Sequence, residues 1–388
     1  LAIASLEPTN NYPRHHQVAE PRNGKIYNDF PACNRARWRR VLTLYAVNPA
    51  TLRSILHFKW GDSLFSSQIE LSGRGRASLP AMASLLTMLC VILAGGQLMA
   101  AEPSPAIERE YRVTSPPAEL EVDPFYKKYL DASGYPIVSS DKVNDYALKE
   151  AAYLVDMMLA ERPDLRKAMV ASGSRLIVIA HSEFTTDIPE YSHLTPKDYW
   201  DARARGLGGS REEPVCSCAE ENVLAYNGDP YSTENILIHE FAHNIHYRGM
   251  INLDPTFDDR LRATYERAMA MGLWKSKYAS VNHAEYFAEG VQSWFNNNRQ
   301  PDHDHNHVDT REELREYDPG LASICEGVFG KTKLVYTKPT TRLEGHLAGY
   351  DPENSPTFQW PEKLKQMKQK IREDVKKRGD NRQQEYKN

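Results

Sequence analysis

Apolar residues recur at helical spacing over 141–161 (Tyr146, Leu148, Ala151, Tyr153, Leu154, Met157, Met158) and predict a helix there. Pro163 should close it, because proline withholds the donor of the next turn. The run Arg175–Ala180 reads as a short buried strand and Asn222–Tyr226 as a second, with Gly206–Gly209 as a loop. From Tyr231 the pattern is helical to about Asn298, and Gly249 and Gly272 fall where C-terminal caps belong. Within that stretch Asp254–Met271 is a connecting helix, with Asp254 as its cap and Pro255 at its first position. Residues 300–318 form a His/Asp-rich loop. The tail 361–388 carries apolar residues at Leu364, Met367, Ile371 and Val375, as a surface helix does. Short strands followed by successive helices give an α+β class: a small sheet, then a mainly helical half. Internal repeats are not visible.

The first hundred residues read differently. Residues 77–101 carry no charge, and the densest apolar run is Leu85–Ala94, broken by Gly95-Gly96. With the first methionine at Met82 and small residues at Ala100 and Ala101, 82–101 has the shape of a secretory signal peptide. The apolar run is about half of the roughly 20 residues that a membrane span needs. The expectation is therefore a secreted, periplasmic or extracellular protein with no stable membrane insertion after cleavage. Residues 1–81 are Arg-rich and Pro-containing. Either translation starts at Met82 or this is a genuine basic leader, in which case Arg74 and Arg76 supply the positive segment. Residues 102–125 read as a Pro- and Glu-rich linker, 126–345 as the main domain and 346–388 as a charged tail.

Composition narrows the function classes. The 388 residues are 41% hydrophobic and 10% aromatic, which excludes a collagen-like or wholly disordered chain. The net charge of -4 hides an asymmetry: +6 over 1–80, +5 over 361–388 and -15 over 102–360. A body that acidic does not bind nucleic acid, whose phosphates demand clustered Lys and Arg. Cys216, Cys218 and Cys325 follow the leader. Cys216 and Cys218 are too close in sequence to bridge each other comfortably, which leaves a bridge from one of them to Cys325, free thiols, or a Cys-x-Cys metal corner.

Chemistry concentrates in Ile236–His246, which contains His239-Glu240-x-x-His243. Two His at i and i+4 lie one above the other, about 6 Å apart in rise, so their imidazoles can meet on one ion. Zinc acidifies a bound water, and a carboxylate beside the first His can take its proton. The flanking apolar residues imply burial, and buried His and Glu need partners that a metal supplies. Catalytic zinc takes three protein ligands. His246 lies about 10 Å of rise beyond His239, too far to share the ion, and is expected to line the cleft or bond structurally. Gly249 occupies the position of a metzincin third His. The better source is Asn282–Phe295, where Glu285 and Glu289 share a face at i and i+4. One carboxylate completes the site while the other orients a ligand His. Glu285 is the expected ligand and Glu289 the fallback, although Asn282-x-x-Glu285 also reads as a capping box.

A His-Glu-x-x-His helix, an intervening helix and then Glu285-Tyr286-Phe287-Ala288-Glu289 together resemble the gluzincin metallopeptidases. That last segment is similar to the matching helix of the lethal-factor-like peptidases. The resemblance covers roughly 231–299 and implies a zincin-like catalytic domain over 126–345. It implies one zinc ion on His239, His243 and Glu285, Glu240 as general base, and Tyr278, seven residues before Glu285, as the electrophilic helper. The expected activity is a secreted zinc endopeptidase acting on a peptide or protein substrate, which Asn222–Tyr226 could pair as an edge strand. The alternatives are an inactive or weakly active zincin-fold binding module and a zinc amide hydrolase acting on a non-protein polymer. His303, His305 and His307 could bind a second metal but read more simply as a solvated loop. Tyr153, Tyr226 and Tyr231 are core or cleft aromatics.

Overall fold

The computed structural model describes the backbone of residues 53–60, 63–70 and 111–385, and side chains from 111 to 374. The expected signal segment 82–101, most of the leader and residues 102–110 lie outside the described residues. Within the leader, β1 (Arg53–Trp60) and β2 (Ser63–Glu70) form an antiparallel hairpin in a unit separate from the body. Leu56-His57-Phe58-Lys59-Trp60 alternates at strand period over only five residues, too few to stand out in the sequence.

The body is mixed α and β: a five-stranded sheet and about ten helices. The strands are β3 (Lys128–Ala132), β4 (Tyr135–Ser139), β5 (Arg175–Ile179), β6 (Gly206–Leu207) and β7 (Val215–Ala219), in spatial order β3-β4-β5-β7-β6. The centre (β4, β5, β7) is parallel, while β3 and the short β6 run antiparallel at the two edges. Between β4 and β5 come α1 (Asp145–Met158), capped by Asn144, and α2 (Pro163–Ala171). Pro163 thus opens a second helix, at the first position where its missing N–H costs nothing. The helix α3 (Lys197–Arg203) leads into β6.

Asn222–Tyr226 is not a strand. It is the short helix α4 (Glu220–Val223) and a turn through Ala225 at φ 55°. The cause is Asn222, whose Nδ2 donates to Asp229 Oδ2 and to the carbonyls of Tyr231 and Glu234, while its Oδ1 accepts from the Ile236 amide. That hub folds 220–236 into a compact turn feeding the next helix. The strand itself lies earlier, in Val215-Cys216-Ser217-Cys218-Ala219, where small residues blur the β pattern.

Next come α5 (Ile236–Asn244), continued by a π-helical turn (Ile245–Met250) to Leu253, then α6 (Phe257–Ala270) and α7 (His283–Trp294). The helices α8 (Arg311–Tyr317), α9 (Pro319–Phe329) and α10 (Glu362–Glu385) complete the body. Gly249 is not a cap: it sits inside the π turn, where a Cβ would lie 2.4 Å from Leu165 Cδ1, so glycine lets α2 approach the backbone. Gly272 does follow the end of α6, at φ 77°. Asp254 does not cap α6. Its carboxylate accepts from the Thr256 amide and hydroxyl in the turn before, and the helix starts at Phe257.

The main core lies between the sheet and α1, α5, α7 and α9. Cys216, Cys218 and Cys325 are buried in it as free thiols, so no bridge joins them. Among the described residues no helix is long and apolar enough to cross a membrane.

Candidate metal centre

The helix α5 is buried along its whole length, packed between β7 and α7. Asn235 caps it, its side chain accepting from the Leu237 amide, and Asn297 near the end of α7 accepts from the Asn235 amide. Two anchors therefore fix where α5 starts relative to α7. The other wall is the β6 segment. A Cβ on Gly206 would stand 3.3 Å from Glu240 Cγ, and one on Gly208 would stand 2.5 Å from His243 Cδ2. Only glycine lets the edge segment lie directly on the His-Glu-x-x-His helix.

Asn282 caps α7 by accepting from the amides of Ala284 and Glu285, as the sequence suggested, but the Glu285 carboxylate is engaged in the site. His239, His243 and Glu285 bring one ligand atom each within 4.8 Å of one another, all three buried. Glu285 Oε2 is 3.1 Å from His239 Nε2 and 3.4 Å from His243 Nε2. Ligands bonded at about 2.0–2.1 Å in a tetrahedral zinc site lie about 3.3–3.4 Å apart, so these separations fit a single ion. Both His243 nitrogens and both Glu240 carboxylate oxygens are buried without a hydrogen bond. Buried groups left in that state are costly unless something not made of protein engages them.

His239 shows how the ring is oriented. Its Nδ1 donates to Gln292 Oε1 at 2.8 Å, and Gln292 Nε2 donates to Glu234 Oε2 at 3.0 Å, which fixes the amide orientation. Nε2 is then the nitrogen presented to Glu285. Glu289 stands further off, its Oε1 3.6 Å from His239 Nδ1 and 3.7 Å from His305 Nε2, with Asn298 donating to Oε2. Glu289 therefore lies behind the ligands rather than among them. Sequence reasoning missed Gln292, the third position on the stripe that runs through Glu285 and Glu289 at turn spacing. Replacing Gln292 by Leu is expected to weaken zinc affinity about 10–100-fold in a chelator competition titration, because the ligand ring loses its anchor.

Electrostatics mark the same place. Burial pushes the Glu240 carboxyl up to about 8, opposed by His239 and reinforced by Glu285 and Glu234. Burial works against a charged His239, yet the hydrogen bond it donates to Glu285 and the charges of Glu240, Glu285 and Glu289 raise its pKa to about 10. Burial likewise opposes an ionised Glu285, and the charge of His243 with the hydrogen bond to His239 overcomes it, so its pKa is lowered. The pocket thus demands positive charge, which a proton on His239 supplies weakly and a dication supplies strongly.

No family model, curated protein or solved structure matches the chain.

Tyr278 joins this group. Its ring centroid is 6.1 Å from that of His239, and its hydroxyl is buried without a partner. Burial, followed by Glu285, Glu240 and Glu289, raises the phenol well above its usual pKa, so it stays protonated and able to donate. The His/Asp-rich loop holds it in place: the Tyr278 amide donates to the Asp304 carbonyl at 2.8 Å, and Lys277 Nζ donates to the carbonyls of Asp302 and His303. The three loop histidines diverge. His303 is exposed beside Asp304, His305 is buried between Asp302 and Glu289, and His307 lies edge-on to Tyr317. Contacts with Glu289 and Asp302 hold the His305 pKa near 9 against the opposing effect of burial. A small cavity bounded by Glu234, His239, Tyr278, Glu289, Arg299, Asp304 and His305 lies behind the ligands.

His246 bonds structurally, as expected. Its Nε2 donates to Asp258 Oδ1 at 2.8 Å, and His283 Nε2 donates to the same oxygen at 3.0 Å. These three groups also gather within 4.8 Å. Arg211 and Arg262 already flank Asp258 Oδ2 at 3.3 and 3.6 Å, and two guanidiniums oppose a further cation. The cluster ties the π turn to α6 and to the start of α7. Tyr153 stacks on His346, far in sequence, while Tyr231 is buried under Arg299.

Proposed function

We propose that the chain is a secreted zinc-dependent endopeptidase with a zincin-like catalytic domain of gluzincin type. The observation that carries this reading is a buried carboxylate, Glu240, with no hydrogen bond, beside three converging ligand atoms. Zinc held by His239, His243 and Glu285 would supply Lewis-acid polarisation of the scissile carbonyl and acidify a water. Glu240 accepts that water's proton and returns it to the leaving amine. Tyr278 keeps its phenolic proton and donates a hydrogen bond to the oxyanion that forms. Gln292 and Glu234 keep His239 in the tautomer that faces the site. An extended substrate that adds to the sheet would do so at its edge strand β6, beside Glu240 and His243, rather than at 222–226.

The test is digestion of a mixed peptide library by the zinc-loaded protein, with products read by mass spectrometry. Internal cleavage that disappears with the metal and returns with added zinc supports the reading. Failure to cleave any peptide with zinc bound moves the weight to a binding module or to an amide in a non-protein polymer. Tyr278→Phe is expected to lower kcat about 10²-fold, with KM and zinc content little changed, the loss typical of one oxyanion donor.

A further inference from the structure

We propose that the cavity beyond the end of α7 is a binding site for a small, multiply charged oxyanion, a phosphate ester or a polycarboxylate. The site is separate from the metal centre and does not depend on the peptidase reading. Trp294 closes α7 nine residues, or about 14 Å of rise, beyond Glu285.

The cavity has a volume of about 370 Å³ and is walled by α8, α9, the segment 331–335 and Asn296. That volume suits a small molecule. One wall is the side chain of Arg311, which is only 6% exposed. Its Nε donates to the Trp294 carbonyl, Nη1 to the Thr332 carbonyl and Nη2 to the Leu334 carbonyl. Those bonds leave one N–H on each terminal nitrogen. Carbonyls accept hydrogen bonds but do not neutralise a buried charge. Arg315 makes the deficit larger. Its guanidinium and that of Arg311 stand over the same Trp294 ring, 5.0 and 4.6 Å from its centre. Burial first and Arg315 second lower the Arg311 pKa, with Glu312 pulling the other way.

Lys331 and Lys333 bring two ammonium groups to the lining. None of these four cations makes an ion pair among the described residues. The neutral residues of the wall spend their acceptors inside the fold. Asn296 Oδ1 accepts from the Arg311 amide, and Thr332 Oγ1 accepts from the Leu334 amide. What they have left are donors, the Asn296 amide group and the Thr332 hydroxyl proton. Two acids, Glu312 and Glu326, also line the cavity, and both are exposed, whereas Arg311 is buried. Four positive charges against two negative ones make this cavity cationic within a region, 102–360, of net charge -15. Guanidiniums and ammoniums gathered with spare donors bind carboxylate and phosphate oxygens through charge-assisted hydrogen bonds.

The experiment is isothermal titration of the full chain with inorganic phosphate, pyrophosphate and citrate, with chloride holding ionic strength constant. One site per chain with a Kd of about 1 mM or tighter is expected for the more highly charged probes. The Arg315→Gln, Lys333→Gln double variant should bind about tenfold more weakly or worse, having lost two charge-assisted donors from exposed side chains. The Glu312→Gln, Glu326→Gln double variant should bind about threefold more tightly, because the opposing charges are gone. Misfolding cannot imitate that gain. Glu285→Gln, at the metal centre, should leave the affinity unchanged. Binding of pyrophosphate without citrate assigns a phosphate-bearing ligand, and the converse a polycarboxylate. No saturable binding of any probe overturns the proposal. Binding that is lost in Glu285→Gln and kept in the Arg315→Gln, Lys333→Gln variant also overturns it, by placing the anion on the metal.

Discussion

Glu240→Gln is expected to lower peptide turnover by about 10²–10⁴-fold while zinc content stays at the wild-type level. The substitution keeps shape and volume and removes one thing, the ability to hold and release a proton. Glu240 bonds to no other side chain in the fold, so glutamine can take its place without breaking a side-chain pair. Its location also sets the sign of a second effect. A fully buried carboxylate is a cost to folding, and burial, opposed by the charge of His239, pushes its pKa up to about 8. Replacing that strained carboxyl by a neutral amide should leave thermal stability unchanged or raise it. Lost turnover together with an undiminished melting temperature would set Glu240 apart from a structural residue. A parallel fall in both would sink its assignment as the base.

The largest stability effect should come from the metal. Zinc at about a thousand times its dissociation constant adds about 4 kcal/mol to the native state. For a body of this size that corresponds to a rise in Tm of about 10 °C. The wild-type protein should show this shift in a thermal scan with and without zinc. Glu285→Gln should abolish it, because Glu285 Oε2 faces both ligand histidines. Glu289→Gln should keep most of it, because that carboxylate lies behind His239 and beside His305. A shift lost in Glu289→Gln and kept in Glu285→Gln would exchange the two roles. Both variants retaining the shift would rule out a carboxylate third ligand.

The candidate site was legible because it is written in two short helical stripes. His239 and His243 at i and i+4, then Glu285 and Glu289 at i and i+4, are face-specific patterns that survive without knowledge of the fold. What supports them was not legible. Gln292 holds His239 from one turn beyond Glu289, but a lone glutamine on an apolar helix carries no chemical flag. The Gly206–Gly209 wall acts across space on residues some thirty positions later. In the fold, helices with long apolar periods were found, and so was β5. The errors fell where one side chain overrides a local pattern. Asn222 bends an apolar run into a turn by making four hydrogen bonds. Pro163 stops nothing, because it stands at a helix start. Cys216 and Ser217 hide a central strand behind small residues.

The depth of the ligand set governs how the protein exchanges with its surroundings. His239, Glu240, His243 and Glu285 are each at most 1% exposed, walled by glycine backbone on one side and the Tyr278 loop on the other. A chelator in solution cannot touch an ion held there until part of that wall opens. Loss of metal would then keep the clock of a breathing motion, not of the chelator's concentration. A brief exposure to chelator would leave the ion in place, and only long incubation or warming would strip it.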